Sequence, residues 1–448
     1  MMNGLGSAGL SGRWPRLLCL LIAVATCVST TANGQDVDRV AFVGATVVPM
    51  DRERALADHT VIVQGGVIEA VGPSAEVRVP ADAVVVDAAG LYLMPGLADM
   101  HTHATQAEDL VPYAAHGVTT ILNMGGADAL RGWRDEVRAG SRFGPQILLG
   151  WFIDGGNSRG GVATVEAARA AVGRAAASGY EYMKVYNSLS TEQFDAIVEE
   201  ADAHGLTVIG HGVRDPGMEH LLENGMRLVA HGEEFIYTFF ANRPDRRRID
   251  AATELVLSSG AYVLPNLSAY EIIAKQWGKP DVVDTFLERS DAQFQHPAHR
   301  RTWLQRRYAN RTGSIDDRLE FLRTMTKAFA DAGVPLLAGT DSPGIPGMYA
   351  GSSMHDDLRN LVTAGLTPYQ ALSAATRVAG EFVAATTTGR LPFGTIQSGQ
   401  RADLLLLRAD PLASIDAIRE IEGVMTAGRW YPLARLGEEM LALRDSLR

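Results

Sequence analysis

The chain has 448 residues, of which 46% are hydrophobic, with 46 Gly and 19 Pro. That is too much apolar material for a disordered chain, and at roughly 150 residues per domain the length suits one barrel-sized domain plus a smaller one. The 41 basic and 52 acidic residues give a net charge of −11; with no basic run, this argues against nucleic acid as a partner. The two cysteines, Cys19 and Cys27, exclude a disulfide scaffold. Four of the basic residues are lysines (Lys184, Lys275, Lys279 and Lys327) and the rest are arginines, so each lysine is informative.

The first element is a targeting segment. Arg13 and Arg16 precede an apolar stretch over 17–28, and small and polar residues follow to Gly34. The stretch falls short of the ~20 residues that a spanning helix needs. It reads as a secretory signal over residues 1–34, cleaved near Gly34. Cleavage removes both cysteines and leaves no stable membrane anchor. The expected location is secreted or periplasmic, which suits a chain without thiols.

Residues 37–94 hold short β-branched runs at 40–48, 60–63, 67–71 and 84–86, broken by Gly and Pro. The same style returns in residues 388–448, at 402–407 and 424–431. The two segments predict a small β-sandwich domain built from both chain ends. Between them, over 95–387, short apolar runs alternate with helical patterns such as 165–177, 191–204 and 319–332. The candidate strands are 97–100, 118–124, 147–150, 182–186, 206–210, 228–230, 262–264 and 335–338. Eight strands with helical crossovers predict an α/β fold, a (β/α)8 TIM barrel. An insert at about 266–333 is too long for a plain connection. Its aromatic residues Tyr270, Trp277, Trp303 and Tyr308 predict a helical cap over the barrel mouth.

Chemistry in such a barrel sits at the C-terminal ends of the strands. The first strand ends in Asp99-Met100-His101-Thr102-His103; histidines at i and i+2 on a strand share a side. The fourth carries Lys184 among apolar neighbours, the fifth ends at His211, the sixth at His231, and the eighth runs into Asp341. Singly each signal is weak. Together, His, His, Lys, His, His and Asp in barrel order point to a metal site.

These residues resemble the amidohydrolase superfamily, in its metal-dependent, imidazolonepropionase-like and prolidase-like (Xaa-Pro dipeptidase-like) branch. The resemblance covers about residues 40–432. It rests on Pro95 to His103, on His116-Gly117-Val118-Thr119-Thr120, and on Lys184-Val185-Tyr186. His211, His231, Gly339-Thr340-Asp341-Ser342 and Gly399-Gln400-Arg401-Ala402-Asp403-Leu404 complete it. The resemblance implies a binuclear site in which the strand-four lysine reacts with CO2 to give a bridging carbamate. A cationic lysine would repel two divalent ions, whereas a carbamate offers two oxygen donors and can hold them ~3.5–4 Å apart. His101, His103 and Asp341 are assigned to one metal, His211 and His231 to the other, and Lys184 to both. Nitrogen and oxygen donors without thiolate suit Zn²⁺, with Mn²⁺, Co²⁺ or Fe²⁺ as alternatives.

The expected reaction is hydrolysis of a C–N bond in a small-molecule substrate, a dipeptide or N-acyl amino acid. A water bridging the metals is the nucleophile and Asp341 its general base. Tyr186, Arg214 and Tyr237 are the candidate substrate contacts, with Arg214 placed to bind a carboxylate or to pair with Asp215. Glu233 and Glu234 read as solvated acids, His299 and His355 as loop residues. One departure stands out: Trp151-Phe152-Ile153-Asp154 lacks the histidine that some relatives carry after strand three. The rival readings are a mononuclear cyclic-amide hydrolase or deaminase, a lactonase or esterase, and last a non-catalytic binding protein. Dimers are common among relatives, so the resemblance leaves a homo-oligomer open, but the sequence itself does not give the oligomeric state.

Overall fold

The computed structural model describes residues 39–156 and 158–448. The secretory signal and both cysteines lie outside the described residues, as does Asn157.

Seven parallel strands stand side by side in chain order: Leu97–Thr102, Val118–Asn123, Gln146–Gly155, Tyr182–Val185, Thr207–Gly210, Leu228–Ala230 and Tyr262–Leu264. Helices such as Val165–Ala177 and Thr191–Ala203 connect them. Both begin at side-chain caps, Thr164 accepting from Ala167 and Ser190 from Gln193. The third strand outruns its expected end because Gly161–Val162 folds back and pairs with Asp154 and Gly155.

The eighth position is where the expectation and the structure differ. No regular strand forms over 335–338. The segment closes the barrel through isolated bridges, Val263 with Leu336 and Thr102 with Ser342. Leu337 donates to Val263 (2.9 Å), the Met100 amide to Ala338 (3.0 Å) and the His103 amide to Ser342 (2.7 Å). Pro335 has no N–H to give a ladder, and Asp341 breaks extended geometry with φ of 62°. The result is a nearly closed barrel whose last stave is hydrogen-bonded but irregular.

The barrel floor is apolar. Met100, Leu148, Tyr182, Ile209, Leu264 and Leu337 pack with Phe382 and Val378 of the helix Arg377–Thr386. Polar groups are thereby confined to the other end, the mouth.

Both chain ends meet in one continuous eight-stranded sheet, mostly antiparallel. The N-terminal strand Tyr92–Pro95 pairs antiparallel with Leu404–Leu407 from the C-terminal part. Its core includes Phe42, Val61, Leu404, Leu406 and Met425, with Trp430 edge-on to Phe42 at 5.0 Å. The C-terminal helix Leu433–Ser446, unforeseen in sequence, follows the last strand.

The segment between the seventh strand and the closing stave is helical: Leu267–Gln276, Val282–Glu288, Pro297–Trp303 and then Asp316–Asp331. It is fastened to the loop that follows Asp341. The fully buried Trp303 donates from Nε1 to Pro343 (3.0 Å), Gln276 to Pro346 (3.1 Å), and Tyr349 from its hydroxyl to Phe286 (2.6 Å).

Arg401 links the C-terminal part of the sheet to the barrel. It pairs with Asp403, donates to Thr120 Oγ1 (2.5 Å) on the second barrel strand, and stacks on Phe393 at 4.3 Å. Asp403 is 4% exposed, and burial raises its carboxyl against the pull of Arg401. Removing one partner of a buried pair costs about 3–5 kcal/mol. R401M should therefore lower the thermal midpoint in scanning calorimetry well below that of a surface control such as R408M.

Candidate metal centre

The first strand's pairing register breaks between Asp99 and Thr102, at the position of His101. Such irregularities re-aim side chains next to functional sites. His101 Nε2 and His103 Nε2 lie 3.2 Å apart. Asp341 Oδ1 is 2.8 Å from His103 Nε2 and 3.5 Å from His101 Nε2. Ligand atoms of these three residues all fall within 4.8 Å of one another. The His231 ring stands 4.5 Å from that of His101 and 4.6 Å from that of His211. Lys184, 1% exposed, brings Nζ to 3.4 Å from His101 Nε2 and 3.3 Å from Met124 Sδ. All six residues singled out from strand ends thus converge at one place.

Two features of the backbone are held there at a cost. Asp341 and His231 adopt left-handed conformations, φ of 62° and 80°, which non-glycine residues sustain where the surroundings over-determine them. Room for the lysine depends on Gly210, with φ of 136°. A Cβ there would lie 2.3 Å from the Val185 carbonyl and 3.0 Å from Lys184 Cδ.

Burial sets the protonation states. It pulls His101, His211 and His231 well below the ordinary histidine value, leaving neutral imidazoles with lone pairs to give. Burial also lowers the Lys184 amine to about 8, against the opposing pull of Asp341, Glu234 and Glu233. For Asp341 burial works upward but loses: His103, His231 and Lys184 hold the carboxyl well below the usual range. Ring nitrogens of His101 and His103 that face each other at 3.2 Å, and the Asp341 carboxylate 2.8–3.5 Å from them, form a compact donor set. Nitrogen and oxygen donors of this kind fit a divalent metal ion.

A second layer fixes these donors. Glu234, 2% exposed, accepts from His211 Nδ1 at 2.7 Å, which turns Nε2 of that ring toward the site. Its other oxygen takes Arg214 at 2.5 Å. The expectation that Glu234 is solvated is therefore corrected, as is the alternative pairing of Arg214 with Asp215, whose carboxylate instead accepts from Thr191. Arg214 also lies 4.6 Å over the Tyr237 ring. Asp99 accepts from Thr340 Oγ1 (2.6 Å) and from the amides of Thr340 (3.0 Å) and His101 (3.2 Å). Burial nevertheless pushes its carboxyl up to about 8. Sequence reasoning gave Asp99 and Thr340 no role. The signal was present, since each lies one or two residues from a candidate ligand.

Above the donors lies a cavity of about 1140 Å³. Tyr186 lines it with its ring 4.2 Å from that of His211, and Tyr237 and Arg214 line it too. The helical segment adds Tyr270, Trp277, Arg307, Tyr308 and Arg318. His299 also lines the cavity, from the helix Pro297–Trp303 and not from a loop; its Nε2 is 2.9 and 3.0 Å from the two oxygens of buried Asp109. His355 is likewise helical and buried, bonded to the His116 carbonyl at 2.8 Å, away from the cavity.

The profile of the Amidohydrolase family matches residues 92–431. The chain belongs to the amidohydrolase family. It is accordingly a hydrolase of carbon–nitrogen bonds, in a family that generally binds metal ions. A Bifidobacterium longum protein assigned as a prolidase is 26% identical, with a TM-score of 0.66, over 90% of this chain and 99% of that one. A bottromycin amidohydrolase shares the fold at 23% identity, with a TM-score of 0.73, over 92% of this chain and 91% of that one. Among curated proteins, adenine deaminase of Ruegeria sp. (strain TM1040) is 34% identical over 122 residues, 25% of this chain. The match spans 20% of that deaminase's own length.

Outer carboxylates that orient a histidine ligand are typically worth about 10–100-fold in metal affinity or activity. E234Q should lower affinity for a divalent ion by about that factor, read by competition with a chromophoric chelator. An unchanged affinity would leave Glu234 only the task of holding Arg214.

Proposed function

We propose that this amidohydrolase is an exported enzyme that cleaves the amide bond of dipeptides or N-acyl amino acids at a two-metal centre. The observation that carries this reading is the burial of Lys184 beside His101, with the histidine–carboxylate set around it. An amine that titrates near 8 has a neutral fraction at physiological pH, as attack on CO2 requires. The resulting carbamate on Lys184 would face His101, His103 and Asp341 on one side and His211 and His231 on the other. Those six residues would hold the ions, and a nitrogen and oxygen donor set of this kind favours Zn²⁺. Bound divalent cations would supply Lewis acidity toward a carbonyl and toward water at neutral pH.

The chain's own groups do the rest. Asp341 is ionised and faces the cavity, so it can accept a proton at Oδ and return it to the leaving nitrogen. Glu234 keeps His211 in one tautomer. Tyr186 and Tyr237 present rings and hydroxyls to the substrate, and burial raises both phenols, so they act as neutral donors. The aromatic wall of Tyr270, Trp277 and Tyr308 suits an apolar acyl or side-chain group. Export is supported by the basic and apolar pattern before Gly34.

The test is turnover of a panel of dipeptides and N-acyl amino acids by the zinc-loaded, bicarbonate-treated protein, beside D341N. Cleavage of the amides should appear, and D341N should lose about 10²–10⁴-fold in kcat. Turnover confined to adenine, cyclic amides or lactones would overturn the substrate assignment; a D341N rate equal to wild type would overturn the base role.

A further inference from the structure

Two guanidinium groups approach the same tyrosine ring in the cavity wall. Arg214 lies 4.6 Å and Arg318 5.8 Å from the Tyr237 centroid. Their charges are treated differently. Arg214 is committed: Glu234 accepts from it at 2.5 Å and the Gly212 carbonyl at 2.9 Å. Arg318 is half-buried on the helix Asp316–Asp331, and no ion pair joins it to any described carboxylate. Glu233, the other acid in this wall, comes within ion-pair reach only of His231 among the described residues, at 3.9 Å. Arg318 lines the cavity beside Tyr237, and its guanidinium also reaches the Tyr270 hydroxyl, a neutral hydrogen-bond partner. Arg307, exposed and stacked 5.1 Å from its neighbour Tyr308, is a second cation on this wall without an acidic partner among the described residues.

A guanidinium beside an aromatic face, with no carboxylate partner among the described residues, is poised to take an anion from outside the chain. We infer that Arg318, and not Arg214, binds the free carboxylate of the substrate and so selects acids over their neutral analogues. The assignment rests on the amide-hydrolase reading for its choice of substrate, but not for its chemistry. Arg318 supplies a planar fork that matches a carboxylate bidentately, beside an aromatic wall that takes the apolar part. Arg214 could do the same only by surrendering Glu234, which also orients His211. The specificity element therefore belongs to the helical segment over the mouth, whereas the reacting groups belong to the barrel. A heterocycle without an anionic group would leave Arg318 unused.

The experiment is calorimetric titration of the zinc-loaded protein with 3-phenylpropionate and with its neutral analogue 3-phenylpropan-1-ol, neither of which can be hydrolysed. Wild type should bind the acid at least about tenfold more tightly than the alcohol, a difference of about 1.4 kcal/mol. R318Q should bring the ratio close to one while alcohol affinity stays unchanged. R318K, which keeps the charge but loses the fork, should fall between them, and it serves as the readout if R318Q does not fold. An acid preference that survives intact in R318Q or R318K would assign the carboxylate to the metal centre alone and overturn the inference. So would equal losses for acid and alcohol. If no amide is turned over yet the ratio still collapses in R318Q, the hydrolase substrate assignment fails and the Arg318 assignment stands.

Discussion

The constraint on which the site depends is the burial of an amine among imidazoles. Lys184 is 1% exposed, and among the described residues its Nζ finds only a ring nitrogen and a thioether within hydrogen-bond range. An isolated buried ammonium is expensive. The protein lowers the cost by shifting the amine toward its neutral form and placing the ionised Asp341 nearby. Much of the surrounding structure follows from that choice. Gly210 leaves space for the lysine stem, Glu234 and Arg214 neutralise one another at the edge, and the floor below is packed with apolar side chains. A chain using four lysines in 448 residues has put one where it is hardest to keep.

The barrel was legible because its strands are short apolar runs separated by helical periodicity, and because the candidate ligands sit where those runs stop. His101, His103, Lys184, His211, His231 and Asp341 could be picked out by position alone. The closing stave was less legible. Pro335 and the left-handed Asp341 remove the ladder while tertiary hydrogen bonds keep the segment in place. Glu234 illustrates another limit. A glutamate beside a histidine reads as solvated until the fold shows it buried between His211 and Arg214. Likewise Asp99 and Thr340 are distant in sequence and meet only when the barrel closes. Adjacency to a candidate ligand is their one local trace and does not reveal the pairing, so the second layer emerges from structure where the first was visible in sequence.

On the proposed reading, the helical segment over the mouth separates specificity from chemistry. Its attachments run to the loop after Asp341, through Trp303, Gln276 and Phe286. Its aromatic and basic side chains then form a wall opposite the donors. A barrel whose reacting groups are fixed at strand ends can in this way change substrates by changing an insertion, without disturbing Lys184 or the histidines.

Metal content per chain, by elemental analysis after purification with Zn²⁺ and bicarbonate, tests the central claim most directly. A carbamate on Lys184 that bridges the two histidine groups predicts close to two ions per chain. One ion or fewer would contradict it, because His101, His103 and Asp341 can hold a single metal without any help from the lysine.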